Sequence, residues 1–317
     1  AIKPLLRMAP PDPASLRPRE LMSLLDLRNY FRDLGAERLH FLHKLLTMCA
    51  ADYLDEWFET EALKATKSAS GIIGTLLGPR SPGTAYVLLH HYMGEIDGAF
   101  RAWGFQKGGT GAITNAIPSA ARSFGAEIRT DAPVERVLLK GDAVTGVSLR
   151  NGDELRAPLV VSGLDPRRTF FHLLDRKALP SDLVEGIDRY KFRGSSGKVN
   201  LALSGLPTFT CFGNDTELAL RALRGAISIS PTVEYLERAY DDAKYGEFSR
   251  NPYMDVVIGS MIDPGMAPPG QHVMSIFVQY APWNINGGWN DAKRDAFGNA
   301  VIKTLTRYAP NLESLIV

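Results

Sequence analysis

Two glycine-rich stretches hold the residues whose types and spacing come nearest to chemistry. Gly194-Ser195-Ser196-Gly197-Lys198 suggests a phosphate loop. Phe192 stands where the leading Gly is needed, however, and Val199 where a Ser or Thr must hold magnesium. The same stretch fails as a nucleophile elbow, because Lys198 replaces the closing Gly. Gly108-Gly109-Thr110-Gly111 precedes a helical segment, so backbone amides there could face a phosphate or a flavin edge. Thr114 occupies the third glycine position of GxGxxG. Two readings stay open for this loop, a ligand-facing turn and an ordinary helix entry.

Metal and thiol chemistry find less. His40 and His43 are three apart on a helical segment, with Asp52 and Asp55 downstream, but no third ligand has diagnostic spacing. Solvated helix surface accounts for them better, and no metal site is expected. His90 and His91 are adjacent; on an extended chain they would point to opposite faces, one of them toward a pocket. Both also suit a purely structural role. Trp57 and Phe58 suit packing better than a ligand box. Cys49 and Cys211 form neither a CxxC pair nor a disulfide framework, which fits a reducing, cytoplasmic compartment.

The elements that must position these residues fall into three stretches. Helical spacing of Leu21, Leu24, Leu25, Phe31 and Leu34 predicts a helix over 17–34, stopped by Gly35. A second helix follows from Ala36, and a third is expected from Asp52 as N-cap. A helix is predicted over 112–124. After it the period changes to two, with short strands over 127–129, 134–139, 144–149, 154–156 and 159–162. Gly141-Asp142 and Asn151-Gly152 supply their hairpin turns, so these read as an antiparallel meander. Strands over 198–203, 226–230, 255–261 and 272–280, with helices between them, suggest a mixed sheet covered on one side. Ser230-Pro231 is the expected start of one of those helices, and a closing helix runs over 291–308.

Composition bounds the class. The 317 residues are 45% hydrophobic with a net charge of +1, so a packed core is expected and a nucleic-acid partner is not. No apolar run approaches the roughly 18 residues of a spanning helix. The opening Ala1-Ile2-Lys3-Pro4-Leu5-Leu6-Arg7 is not a signal-peptide core, because a Pro and two charges interrupt it.

Several motifs occur together in a telling order. They include Ala50-Ala51-Asp52-Tyr53-Leu54-Asp55-Glu56-Trp57-Phe58-Glu59, Gly83-Thr84-Ala85-Tyr86-Val87-Leu88-Leu89-His90-His91 and Gly108-Gly109-Thr110-Gly111-Ala112. Val160-Val161-Ser162-Gly163-Leu164-Asp165-Pro166, Lys198-Val199-Asn200-Leu201-Ala202-Leu203 and Tyr308-Ala309-Pro310-Asn311 follow. The series resembles phytoene-desaturase-like FAD-dependent oxidoreductases over essentially the whole chain. Such proteins open with a strand–GxGxxG–helix unit and close with a second glycine-rich flavin segment. Neither is present, so the resemblance implies the middle of a longer protein. Gly163-Leu164 also departs from the Asn-Ala of many relatives.

The resemblance implies an α+β fold in three parts. Residues 1–105 would be a helical substrate or cap region. Residues 106–170 would be the central part of an FAD-binding domain, with its antiparallel β-meander. Residues 171–317 would be a mixed-sheet substrate-binding domain. FAD is the implied cofactor, contacted by Gly108, Gly109 and Gly111, by the strand bearing Val134 and Val137, and by the turn at Ser162 and Gly163. His90 and His91 are the candidate substrate contacts, and no catalytic acid or base is assigned. The implied activity is hydride removal from an apolar, isoprenoid-type substrate, the cofactor carrying the reaction. The alternative is a non-catalytic remnant that binds an apolar ligand or a protein. Faces left uncovered by missing segments predict self-association or a bound partner, and contact with a membrane surface stays open.

Overall fold

The computed structural model describes residue 8 and residues 10–100 and 104–317. The opening heptapeptide lies outside them. The chain divides into two compact units, one made of residues 1–109 and 193–317 and the other of residues 110–192.

In the first unit, α1 (Pro18–Thr47) is broken at Gly35, whose φ of 74° lies outside helical space. The expected stop and restart are therefore present as a kink. Helix α2 (Ala50–Asp55) starts earlier than the sequence suggests, because Cys49 rather than Asp52 is its N-cap. The Cys49 sulfur accepts from the Asp52 amide at 3.3 Å. Trp57 falls beyond this helix and is exposed. Helices α3 (Glu61–Ile72) and α4 (Thr84–His91) follow. Buried Thr84 ties α4 to α2, its hydroxyl accepting from the Ala50 amide at 2.8 Å and donating to the Ser81 carbonyl at 2.7 Å. A two-residue hairpin of β1 (Glu95–Ile96) and β2 (Ala99–Phe100) comes next.

The second unit opens with α5 (Gly109–Ser123). Its sheet contains β3 (Val134–Lys140), β4 (Ala143–Leu149) and β5 (Glu154–Arg156), paired antiparallel in that order. The two glycine turns sit where the sequence places them, with Gly141 and Gly152 both at positive φ. Residues 127–129 and 159–162 belong to no strand, so those two expected strands are absent among the described residues. Alternating apolar residues make a strand only where a neighbouring edge accepts them. Helices α6 (Pro166–His172) and α7 (Ser181–Arg189) complete the unit, α6 being capped by Asp165, which accepts from the Arg168 amide at 3.0 Å.

The chain then returns to the first unit with β6 (Ser196–Leu203), α8 (Thr216–Ala222) and β7 (Ala226–Ile229). Helix α9 (Val233–Lys244) is capped by Thr232, not Ser230. Strands β8 (Tyr253–Ile258) and β9 (His272–Gln279) precede α10 (Asp291–Thr306) and α11 (Leu312–Leu315). The four strands stand in the order β6-β9-β8-β7. Every pairing is antiparallel, so the mixed sheet is corrected to an antiparallel one. Helices between strands suggested crossovers. Instead, α9 leads away and residues 245–252 bring the chain back, so β8 starts at the end where β7 stops.

One face of this sheet is the main core. Met274, Ile276, Val278, Met254, Val256 and Ile258 pack with Val301, Leu305 and Leu312 of α10 and α11. Each such side chain contributes about 1.5–3 kcal/mol by leaving water. A second cluster joins Ala69 and Ile72 of α3 to Leu236, Ala239 and Ala243 of α9 and to Tyr253 and Tyr280. The Gln279 side-chain amide strengthens that joint, donating to the Ile72 and Thr75 carbonyls at 2.7 and 2.9 Å. The helices before residue 105 and the sheet after residue 193 thus share one unit.

Candidate functional site

Period-two alternation in β6, β8 and β9 buries one set of side chains and leaves the other on the opposite face. Register places Lys198, Phe277, Asp255 and Ser228 in one row across the four strands. Asn200, Ser275, Val257 and Ala226 form the next row. Lys198, Asn200, Ala226 and Ser228 are exposed, and Phe277, Asp255, Ser275 and Val257 are half-buried. The Ser228 hydroxyl donates to Asp255 and orients its carboxylate. An ammonium and a carboxylate two strands apart, about 10 Å, flank an aromatic ring. Such a surface can hold an amphipathic small molecule lying across the strands. Sequence reading missed it. The signal was available in the polar members of the alternation, but which strands are neighbours is not local information.

Where β6 starts, Gly194, Gly197, Lys198, Trp283, Trp289 and Phe297 line a groove of about 580 Å³, together with Ser196, Ala281 and Arg294. Trp289 stacks on Phe248 and meets Phe297 edge-on, and its indole N–H donates to the Pro282 carbonyl at 2.9 Å.

The glycine loop is held from within the chain. The Gly108 amide donates to Asp263 Oδ2 at 2.7 Å, and the Gly265 amide donates to Asp263 Oδ1 at 3.2 Å. A carboxylate of this protein therefore takes the amide that the sequence left available to a ligand. Gly108 and Gly109 have φ of 79° and 70°, so both need glycine for the turn itself. Gly111 has open space around it.

In the second unit, the Val137 amide donates to the Leu173 carbonyl at 2.8 Å. Val134, at the start of the strand, lines a pocket of about 280 Å³ with Glu135, Arg150, Leu164, Arg168, His172 and Leu173. The Arg150 guanidinium, the Arg168 guanidinium 3.5 Å from Asp165 and the His172 imidazole can meet a phosphate, while the Glu135 carboxylate at the same strand end repels one. Ser162 shapes its own turn, within 2.8 Å of the Thr169 hydroxyl and accepting from the Leu164 amide at 3.3 Å. Gly163 has nothing near its missing side chain.

His90 and His91 close α4, so the extended-chain picture of opposite faces does not hold. His91 Nδ1 lies 3.0 Å from the Val87 carbonyl, and the exposed His90 ring lies 5.9 Å from that of Tyr86. Cys49 and Cys211 are both free, and burial pushes the Cys49 thiol up, away from thiolate chemistry. Among the described residues no group of three His, Cys, Asp or Glu is placed to hold a metal. No described helix is long and apolar enough to cross a membrane.

Comparison with known proteins adds the family. A model described as flavin containing amine oxidoreductase matches residues 48–314. Pyridine nucleotide-disulfide oxidoreductase domain-containing protein 2 of Rattus norvegicus is 36% identical over 330 residues, covering 100% of this chain and 56% of that protein. The chain thus spans about half the length of the curated relatives it matches. The zeta-carotene-forming phytoene desaturase of Myxococcus xanthus is 39% identical over 74 residues, covering 23% of this chain and 14% of that protein. Among solved structures, an oxidoreductase from Methanosarcina mazei superposes with a TM-score of 0.56 at 17% identity, over 90% of this chain and 60% of that one. These matches bear out the expected α+β class.

Proposed function

Because this chain belongs to the flavin-containing amine oxidoreductase family, whose cofactor is FAD, we propose that the full-length protein is an FAD-dependent oxidoreductase acting on a small molecule. The observation that carries the proposal is the family match over residues 48–314. When bound, FAD supplies the two-electron redox chemistry.

The chain's own residues would bind and position. Val134, Arg150, Arg168 and His172 fit the nucleotide end of FAD, the guanidiniums toward phosphate. Gly111 and the turn at Ser162 and Gly163 are proposed as further approaches for the cofactor, as the resemblance implies. Gly108 does not fit as a donor to the cofactor, because Asp263 holds its amide. Gly109 is proposed for turn geometry rather than contact, given its positive φ. His90 and His91 are kept as substrate contacts on the resemblance alone.

The part of the four-stranded sheet's second face that α3 and α9 leave uncovered, bearing Lys198, Asn200, Asp255 and Ser275 beside the packed Phe277 ring, is the proposed substrate surface. The partial likeness to a phytoene desaturase supports an apolar, isoprenoid-type substrate. Lys198, Asn200 and Asp255 on that face favour one that also carries a polar end. Exposed Ile117, Phe124, Leu159 and Val161 in the second unit support burial of that surface against further chain or a second copy. The test is anaerobic mixing of the purified full-length protein with polyenes, prenyl alcohols and amines. Bleaching of flavin absorbance by a prenyl compound supports the reading. Bleaching by amines alone would overturn the substrate class while leaving the oxidoreductase.

A further inference from the structure

The last three residues of the chain are already laid against an open edge. The Ser204 amide donates to the Leu315 carbonyl at 2.8 Å, and the Val317 amide donates to the Ala202 carbonyl at 3.1 Å. Between these bonds Leu203 and Ile316 form an antiparallel bridge. The sheet order makes β6 an edge strand. In a strand, one residue's N–H and C=O point the same way and its neighbour's point the other way. Ala202 and Ser204 face outward toward the chain end, so Asn200, Lys198 and Ser196 face outward too. Among the described residues none of these three outward amides has a partner.

We infer that β6 accepts a fifth strand, formed by the segment that follows Val317 in the full-length protein and paired antiparallel with Ala202 through Ser196. The register is set by the existing bridge, so the second residue past Val317 pairs with Asn200 and the fourth with Lys198. About six residues, roughly 20 Å of extended chain, carry the strand to the start of β6. There it enters the groove between Gly197, Trp283, Trp289 and Phe297. That groove is therefore the seat of a polypeptide strand. The edge fits such a partner because backbone groups supply affinity while the aromatic walls receive alternate side chains. The relatives' greater length leaves room for such a segment: this chain spans 56% of the rat protein. The inference stands apart from the redox reading, since it uses backbone pairing and the groove beside β6 and no cofactor contact.

Amide hydrogen exchange by NMR tests it, comparing the 317-residue chain with the full-length protein. In the shorter chain the Asn200 and Lys198 amides should exchange rapidly while Val199 and Leu201, bonded to β9, are protected. In the full-length protein Asn200 and Lys198 should slow by about a hundredfold or more. Asn200→Pro removes only an outward donor, so it should leave the Val199 and Leu201 amides protected and release Lys198 in the full-length protein. Equal exchange of Asn200 and Lys198 in both proteins would overturn the inference. So would a reading frame that stops at Val317, or protection in the shorter chain that rises with its concentration and marks a second copy as the occupant.

Discussion

Gly197→Ala tests whether β6, α10 and the aromatic groove are packed as described. A Cβ on Gly197 would stand 2.6 and 2.7 Å from two ring atoms of Phe297 and 3.3 Å from Ala281 Cβ. Ordinary contact needs about 3.5–4.0 Å, so the ring must retreat by about 1 Å. It has little room, because Phe248 and Trp289 meet it at centroid distances of 5.7 and 6.0 Å. Overpacking of this kind costs about 1–3 kcal/mol. For a chain of this size that is a fall in Tm of roughly 2–5 °C. Trp289 fluorescence during thermal unfolding follows the affected unit. Phe297→Leu should relieve the clash, so the double variant should be more stable than the sum of the singles by about 1 kcal/mol. Wild-type melting of Gly197→Ala, or strictly additive effects in the cycle, would refute the packing described here.

Three further outcomes are expected. Thr84→Val should cost about 1–3 kcal/mol in denaturant unfolding, because it strands the buried Ala50 amide, and Thr84→Ser should restore most of it. Gly109→Ala should destabilise by about 1–2 kcal/mol through its positive φ, whereas Gly111→Ala should melt like the wild type. Flavin content of full-length Gly111→Ala then separates a cofactor contact from a helix entry: undiminished FAD would remove Gly111 from the site. Burial holds the His272 imidazole below its ordinary value of 6.5, so the unfolded chain takes up the proton more readily. The stability from the neutral ring is full above 6.5 and falls as pH drops through that value toward the lowered one. His272→Gln should flatten this slope in urea titrations across that range.

Local chemistry was legible in the sequence. Gly35 marks the break in α1, and Asn151-Gly152 turns β4 into β5. Both depend on single residues that adopt positive φ without strain. Caps were less legible, because Cys49 and Thr232 compete with the equally plausible Asp52 and Ser230 three and two residues away. Burial of Ala50 and Ala51 decides the first, and that is tertiary information. Leu159 and Val161 have strand chemistry but no edge to pair with, so pattern alone misplaces them. The candidate site was legible only as glycines. That Asp263 lies 155 residues from Gly108 and holds its amide is invisible to spacing rules. The row of Lys198, Phe277 and Asp255 exists only once three distant strands are in register. Distant likeness named the family because it sums many weak local matches, but it could not say which amides were already taken.

The central claim, an FAD-dependent oxidoreductase, is tested most directly by purifying the full-length protein, denaturing it and measuring the flavin released. About one FAD per chain is expected, identified by absorbance and chromatography. The 317-residue chain, mixed with FAD and desalted, should keep none. A full-length protein that carries no flavin and retains none after incubation with FAD would contradict the claim.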